Sequence, residues 1–290
     1  MTQRFDSRVR PAPGLDPDDD SVLEINVETV RRWLVEFLRQ EIAVQRGFSS
    51  IVIGLSGGVD SALSAALCAE ALEPESVHCF MLPYRSSDPR SLDDAHEVAE
   101  ALGTPRRVID IAPAVDGYLE KESGPGAHRT GNVAARVRMA ILYDQAAGLG
   151  ALPVGTSNKS ERLLGYFTWH GDDAPAVNPL GDLFKTQVWA LGRAMGLPLS
   201  VIDKPPTADL IPGQTDENDL GVTYRSADLI LFHLLDGRSP AELVDAGFPE
   251  GDMRAVTARL DATHWKRRLP TQAMLSQTAI GESYLRPVDY

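Results

Sequence analysis

The sequence predicts an α/β fold: a doubly wound parallel sheet with helices on both faces, a Rossmann-like arrangement. Short apolar runs alternate along the chain with longer segments of helical periodicity. Strands that are separated by helices pair in parallel and are covered by those helices. A glycine-rich turn follows the first apolar run, and in such sheets ligands bind at the carboxyl ends of the strands.

The elements follow in order from the spacing of apolar residues. Helical spacing over 27–44 predicts an amphipathic helix before the first strand. Strands are predicted at 51–55, 77–82, 107–111 and 152–154, with helices between them near 62–72, 88–102, 113–121 and 132–149. Beyond Gly155, helices are predicted near 185–195, 224–235, 240–246 and 252–263. Residues 205–220 are predicted to form a polar loop, and long loops of this sort are often lids.

The chain is predicted to form one domain with an appendage at each end. Residues 1–21 are polar, proline-containing and without apolar periodicity, which predicts a mobile arm. Residues 22–270 are predicted to form a single domain, because a chain of 290 residues can bury one substantial core. Residues 271–290 are predicted to be an irregular C-terminal extension.

Composition excludes several kinds of partner. The formal net charge of −13 argues against nucleic acid, because such binding depends on basic groups that meet phosphates. No apolar segment approaches the length that spans a membrane, and the N-terminus is too polar for a signal peptide, so a cytoplasmic protein without a membrane partner is expected. Cys68 and Cys79 are predicted to be small buried residues rather than a redox pair.

The segment from Gly54 to Ser61 is predicted to be a phosphate-binding turn between a strand and a helix. Adjacent glycines let the backbone approach a polyphosphate, serine hydroxyls donate hydrogen bonds, and the helix N-terminus offers N–H groups to an anion. No lysine follows the glycines, and a carboxylate beside phosphates implies a bridging cation, Mg²⁺. The candidate ATP-binding residues of this turn are Gly54, Ser56, Gly57, Gly58, Asp60 and Ser61.

This turn resembles the loop of the N-type ATP pyrophosphatases, enzymes of the adenine nucleotide alpha hydrolase-like fold that cut ATP between its α and β phosphates. Four further segments are similar to the ammonia-dependent NAD synthetase family within that group. They read N-V-A-A-R-V-R-M from Asn132, G-T-S-N-K-S-E from Gly155, N-P-L-G-D-L-F-K-T-Q-V from Asn178 and K-P-P-T-A-D-L from Lys204. The resemblance implies a ligase that forms a carbon–nitrogen bond.

The resemblance also implies residue roles. In the family, the residue that matches Glu161 joins the one that matches Asp60 in holding Mg²⁺, and those that match Thr156, Lys185 and Thr207 touch ATP. The implied reaction has two steps. The carboxylate of deamido-NAD attacks the α-phosphate to give an acyl-adenylate and pyrophosphate, and ammonia then displaces AMP.

Two catalytic roles beyond metal binding are expected. Lys185 would supply positive charge for the departing pyrophosphate. Asp172 is the candidate base that takes a proton from ammonium, and a solvated loop aspartate is the alternative interpretation.

The chain departs from the family pattern where the family binds deamido-NAD. Arg136 and Lys266 are retained, but Trp169 replaces a lysine, Ala176 an aspartate and Trp265 a histidine, unless a one-residue shift restores His264. Arg136, Trp169, Trp265 and Lys266 are the candidate substrate-binding residues. Tryptophan replaces polar recognition with stacking-capable surface, although simple packing is the alternative role. The retained motifs predict an NAD synthetase. The departures favour the alternative, a related amide synthetase that acts on another, smaller or aromatic, acid.

The expected partners are ATP, ammonia and a carboxylic acid. Neither cysteine lies in a nucleophile-like context, so free ammonia or a separate ammonia-supplying subunit is expected rather than an attached glutaminase. By resemblance, a homodimer with the acid near the subunit interface is expected. Two rivals are a sulfur-transferring enzyme, which would need catalytic cysteines, and a catalytically silent ATP-binding regulator. Asp60, Glu161 and Lys185 together favour turnover.

Overall fold

Four parallel strands form the centre of the computed structural model, which describes residues 14–207 and 215–268 together with Thr271, Ala273 and Leu275. The strands lie in the order β3-β2-β1-β4. They are β1 (Ile51–Gly54), β2 (Val77–Met81), β3 (Arg106–Val108) and β4 (Leu152–Val154). Ile53 of β1 is in register with Cys79 of β2 and Val154 of β4. The predicted parallel sheet is confirmed.

Helices surround this sheet. In chain order they are α1 (Val27–Arg39), α2 (Val59–Leu72), α3 (Pro89–Leu102), α4 (Ala112–Leu119), α5 (Ala127–Leu149), α6 (Lys159–Leu164), α7 (Lys185–Ala194), α8 (Leu199–Ile202), α9 (Asp216–Leu220), α10 (Tyr224–Leu235), α11 (Pro240–Asp245) and α12 (Glu250–Ala262). Within the described ranges, none of them is both long and apolar enough to cross a membrane.

The two faces of the sheet are covered by different helices because successive strand residues point to opposite sides. Ile51 and Ile53 are buried against α1, α2, α3, α7 and α8. Val52, between them, is buried with Phe80 against α4 and α5. Both faces are therefore apolar, as a parallel sheet that is covered on both sides requires. Cys68 and Cys79 are buried free thiols, as predicted.

A second apolar cluster joins the C-terminal helices into a lobe beside the sheet. It contains Leu164 of α6, Tyr224 of α10, Leu243 of α11 and Met253 of α12, all buried. In this lobe α6, α7 and α10 contact one another. Helices α6 and α7 each contribute a residue to the candidate site.

Some predicted boundaries were wrong. The third strand ends at Val108 rather than 111, although the Ile109 N–H still donates to the Met81 carbonyl (2.9 Å). Helix α5 begins at Ala127 rather than near 132, since Gly131 is buried inside it and packing outweighs the poor helix propensity of glycine. Part of the predicted loop over 205–220 is helix α9, which Thr215 caps. Residues 208–214 of that loop lie outside the described residues.

The chain termini are described only in part. The predicted arm over 1–21 lies outside the described residues through residue 13. Its described part contacts α10, where Arg225 donates to the Asp20 carboxylate (2.9 Å) and to the Asp18 carbonyl (2.9 Å). The predicted extension over 271–290 lies outside the described residues except for Thr271, Ala273 and Leu275.

Candidate active site

A cavity of about 1220 Å³ opens at the carboxyl ends of β1 and β4. These two strands are neighbours in the sheet, and the strand order reverses at β1, which is the position where open α/β sheets bind ligands. The cavity is lined by every residue for which the sequence predicted a site role: Gly54, Ser56, Gly57, Gly58, Asp60, Ser61, Arg136, Thr156, Glu161, Trp169, Asp172, Lys185, Thr207, Trp265 and Lys266.

The phosphate loop between β1 and α2 is held in shape by its own serines. The Ser61 hydroxyl donates to the Gly58 carbonyl (3.0 Å) and accepts from the Ser56 N–H (3.1 Å). Gly57 adopts a positive φ of 76°, a conformation that favours glycine. Helix α2 begins behind the loop with Gly58 at its N-cap, a residue that has no side chain to occupy the first N–H groups. The loop therefore presents the N-terminus of α2 to the cavity, where an anion would be favoured.

Asp60, Glu161 and Lys185 converge beside the loop. The Lys185 Nζ lies 2.5 Å from Asp60 Oδ2 and 3.2 Å from Glu161 Oε1. All three side chains are largely buried. Burial, together with the neighbouring charge of Asp60, raises the pKa of Glu161 to about 8, although Lys185 acts in the opposite direction. Burial alone would lower the pKa of Lys185, but the two carboxylates outweigh it and raise that pKa. The paired carboxylates thus favour a cation between them.

Asn158 orients both carboxylates, and no role was predicted for it. Its Nδ2 donates to Asp60 Oδ1 (2.8 Å), and its Oδ1 accepts from the Glu161 N–H (2.9 Å). The Glu161 carboxylate in turn accepts from the Asn158 N–H (3.3 Å), so the two residues form a capping box at the start of α6. The N-x-x-E spacing before an apolar residue was the available sequence signal.

A third carboxylate, Asp216 at the start of α9, also lines the cavity and was not predicted. It is 4% exposed, and its Oδ2 accepts from the Tyr224 hydroxyl (3.1 Å). Burial raises the pKa of Asp216, and the positive charge of Lys185 lowers it. Asp216 was not singled out because it falls in the segment 205–220, which was predicted to be a polar loop.

The chemistry of these donors fits magnesium. Mg²⁺ prefers oxygen ligands, keeps several waters and is commonly held by one or two carboxylates plus substrate phosphates. Among the described residues, no group of three or more His, Cys, Asp or Glu side chains is placed to hold a metal ion. Two carboxylates next to a phosphate loop match the incomplete ligand set that magnesium shares with a nucleotide.

Part of the cavity wall is aromatic. The rings of Trp169 and Trp265 meet edge to face with centroids 5.2 Å apart. The Arg136 guanidinium donates to the Trp169 carbonyl (3.2 and 3.3 Å), and the Lys266 Nζ donates to the carbonyls of Gly165 (2.9 Å) and Phe167 (3.0 Å). Arg136 and Lys266 therefore both donate hydrogen bonds to backbone carbonyls of the segment 165–169.

Trp265 and its neighbour His264 are placed differently in the structure. Trp265 lines the cavity, whereas His264 contacts the Asp261 carbonyl through its Nδ1 (2.6 Å) and does not belong to the cavity lining. Ala176 is exposed and lies outside the lining too. Trp169 and Trp265 therefore both line the cavity, whereas His264 and Ala176 do not.

Asp172 also lines the cavity, and the residue is exposed. One carboxylate oxygen accepts from the Thr168 N–H (2.7 Å). Desolvation by the surrounding protein raises the pKa of Asp172 to about 6, although the hydrogen bond from the Thr168 N–H lowers it. A carboxylate with a pKa near neutrality can exchange protons with a ligand under ordinary conditions.

The fold and the site define a Rossmann-like α/β protein with a phosphate-binding loop at the topological switch point of its sheet. The chain belongs to the NAD synthase family, whose sequence pattern matches residues 30–270. The predicted family is thereby confirmed.

Named relatives and solved structures agree with this assignment. The chain is 48% identical over 265 residues to the NH3-dependent NAD⁺ synthetase of Trichlorobacter lovleyi, which covers 91% of this chain and 97% of that protein. A structure of NMN synthetase from Francisella tularensis matches with a TM-score of 0.77 and 32% identity over 86% of this chain and 99% of that one. NH3-dependent NAD synthetase from Campylobacter jejuni matches with a TM-score of 0.74 and 30% identity over 86% and 100%.

Proposed function

We propose that the protein is an ammonia-dependent NAD synthetase, a ligase that converts deamido-NAD, ATP and ammonia into NAD, AMP and pyrophosphate. The observation that carries the proposal is the convergence of Asp60, Glu161 and Lys185 beside the phosphate loop. It occurs in a chain that is 48% identical to a protein named NH3-dependent NAD⁺ synthetase. Such a set of charges suits the expulsion of pyrophosphate, which simple nucleotide sensing does not require.

Asp60 and Glu161 are the residues that would hold magnesium. When bound, Mg²⁺ neutralises charge on the phosphate oxygens of ATP. The raised pKa of Glu161 supports this assignment: burial and the charge of Asp60 together outweigh the ion pair with Lys185, so a further cation beside the two carboxylates would be favoured. Asn158 keeps both carboxylates oriented through its hydrogen bonds.

The chain's own groups would drive the first step. The phosphate loop, the N-terminus of α2 and Thr156 and Thr207 surround the nucleotide, while Lys185 stabilises negative charge on the leaving pyrophosphate. The carboxylate of the acid attacks the α-phosphorus, and the bond between the α-phosphorus and the bridging oxygen breaks, leaving the acyl-adenylate. Positioning and charge stabilisation supply the catalysis at this stage.

Asp172 would act in the second step. An ammonium ion that enters the cavity transfers a proton to the Asp172 carboxylate, and the resulting ammonia attacks the acyl carbon. AMP leaves with the electrons of the broken bond, and the second proton that the amine loses passes to solvent. The proposal is supported by the place of Asp172 in the cavity lining and by its pKa of about 6.

A second candidate function is supported by the aromatic wall. Trp169 and Trp265 occupy positions where the family binds deamido-NAD with polar groups, and their rings pack against each other in the cavity. A pocket that is less polar suits a smaller acid, and a structure of NMN synthetase is among those that match this fold. The alternative substrate is therefore the deamido form of NMN, amidated by the same two steps.

The assembly that we propose is a homodimer with the acid near the subunit interface. Three apolar side chains, Val108 of β3, Tyr118 of α4 and Leu149 of α5, are exposed at the surface. A second copy would cover such surface. The proposal also places the protein in the cytoplasm, where free thiols such as those of Cys68 and Cys79 persist.

The test is an assay of AMP and amide formation with ATP, Mg²⁺ and ammonium, with deamido-NAD and deamido-NMN as competing acids. The proposed function predicts stoichiometric AMP and NAD, and the second candidate predicts a higher kcat/KM for deamido-NMN. Glu161→Gln should abolish both products. Asp182→Asn is the control, since Asp182 only pairs with Lys159 of α6 at the surface and its side chain is 96% exposed. Formation of no amide from either acid would contradict the proposal.

A further inference from the structure

Asp228, on α10, does not line the cavity, but it accepts hydrogen bonds from the residues that adjoin Glu161 and Lys185 in sequence. It is fully buried. Its Oδ1 accepts from the Ser160 hydroxyl (2.5 Å), and its Oδ2 accepts from both the N–H and the hydroxyl of Thr186 (2.9 Å each). Ser160 directly precedes Glu161, and Thr186 directly follows Lys185. One carboxylate therefore connects the starts of α6 and α7.

Ser160 extends this connection to the backbone of Lys185. The Ser160 oxygen accepts from the Lys185 N–H (2.9 Å) while its hydrogen is donated to Asp228. Phe184, the N-cap residue of α7, has no side-chain acceptor, so the first N–H groups of this helix need acceptors from elsewhere. Ser160 and Asp228 supply them, and a carboxylate at a helix N-terminus is electrostatically favoured.

A buried carboxylate is costly unless it is fully hydrogen-bonded, and an apolar residue could fill the same space. Asp228 is one of the few charged side chains that are buried in the described part of the chain, and it contacts Ser160 and Thr186 rather than a surface cation. Its neighbours in sequence, from Leu229 to Leu231, are apolar and buried. The Asp228 carboxylate is thus hydrogen-bonded to the N-terminal turns of α6 and α7, the helices that carry Glu161 and Lys185.

We propose that Asp228 is a positioning residue for the reaction: it fixes the separation between the Glu161 carboxylate and the Lys185 ammonium by holding Ser160 and Thr186. The inference rests on the proposed function, in which Glu161 binds magnesium and Lys185 stabilises pyrophosphate. Asp228 itself does not line the cavity and touches no reactant. Supporting residues of this kind matter because a displacement of about 1 Å in a catalytic group can lower the rate roughly a hundredfold.

A purely structural role for Asp228 would have a different signature, and α10 offers a matched control. Ser226, two residues earlier on α10, donates to Asp252 of α12 (2.6 Å). This Ser–Asp hydrogen bond also joins two helices of the C-terminal lobe, but neither residue lines the cavity. Asp228→Asn and Asp252→Asn therefore both alter a serine–carboxylate hydrogen bond of the same lobe, and only the first touches the neighbours of Glu161 and Lys185.

The experiment compares these two variants with the wild-type chain in two measurements. The first is the rise in thermal unfolding temperature caused by ATP with Mg²⁺, which requires no turnover. The second is kcat for acid-dependent pyrophosphate release, with its Mg²⁺ dependence. Asp228→Asn should lose most of the thermal shift, lower kcat at least about tenfold and raise the Mg²⁺ concentration for half-maximal rate, with KM for the acid unchanged. Asp252→Asn should match the wild type per folded molecule.

The proposal is overturned if Asp228→Asn responds to ATP and Mg²⁺ and turns over as Asp252→Asn does. Should Asp228→Asn fail to fold, Ser160→Ala and Thr186→Val each remove one of its hydrogen bonds, and wild-type values of kcat and thermal shift in both would overturn it equally. An inactive wild-type chain would contradict the proposed function alone, because the nucleotide-induced thermal shift still compares the variants.

Discussion

Gly57 packs so closely against Ser91 that a Cβ on Gly57 would lie 2.1 Å from the Ser91 backbone oxygen. No real Cβ comes this near to a backbone atom, and a backbone oxygen cannot rotate away as a side chain can. The phosphate loop is therefore held in place by packing against the first turn of α3 as well as by its own hydrogen bonds. The shape of the loop depends on a contact with a residue 34 positions later in the chain.

Gly57→Ala should destabilise the folded chain by about 2 kcal/mol or more, because it adds this clash to the strain of a positive φ. Gly58→Ala is the matched control, since Gly58 has an extended backbone and its added Cβ would only touch the Ser56 hydroxyl at 3.4 Å. Denaturant unfolding measures both. Equal free energies of unfolding for the two variants would contradict the close packing of Gly57 against Ser91.

Lys185→Met should destabilise the metal-free protein by about 3–5 kcal/mol, because it leaves two largely buried carboxylates without their cation. Lys159→Met, whose partner Asp182 is exposed, should cost about 0–1 kcal/mol. Protonation of Glu161 relieves the repulsion, so the loss should be largest above its raised pKa of about 8 and should shrink as the pH falls. Denaturation at several pH values tests this, and a pH-independent loss would refute it.

Trp169→Ala should raise KM for the acid substrate about tenfold and leave KM for ATP unchanged, because the ring lines the cavity together with Trp265 and is not part of the phosphate loop. Trp33→Ala is the control: this side chain is 75% exposed on α1 and does not line the main cavity. Steady-state kinetics with each substrate varied in turn makes the comparison. A parallel rise in both KM values would show that Trp169 only supports the fold of the site.

Asp172 should impose a pH dependence on amide formation. As a base it must be ionised, so at fixed total ammonium the rate should rise through about pH 6 and then level off. Without such a base, the rate would keep rising about tenfold per pH unit, in step with the fraction of free ammonia. Asp172→Asn should convert the first profile into the second. A wild-type profile without a plateau would remove Asp172 from the mechanism.

The sheet and the phosphate loop could be predicted because their signals are local. Each strand is a short apolar run, and the turn after β1 contains glycines and serines in one continuous segment. Contacts at long range were different. Asp60 and Lys185 are 125 residues apart, and only the resemblance to a family, not their spacing, predicted that they meet.

The missed residues had weak or contrary local signals. Asn158 carried a capping-box pattern that predicted only a helix start. Asp216 falls in a segment whose polar composition favoured a loop, although Thr215 and three acidic residues stabilise a short helix there. Asp228 was the one acidic residue in an otherwise apolar stretch of α10, a pattern that indicates a buried charge without naming its partners. Those partners depend on how α6, α7 and α10 pack.

The proposed function depends on one step, in which a substrate carboxylate attacks ATP and cleaves it between the α and β phosphates. The most direct test uses an acid whose carboxylate carries heavy oxygen, with ATP, Mg²⁺ and ammonium, followed by mass spectrometry of the nucleotide. We expect AMP that contains one labelled oxygen from the acid, and unlabelled pyrophosphate. Unlabelled AMP, or ADP with orthophosphate as the products, would contradict it.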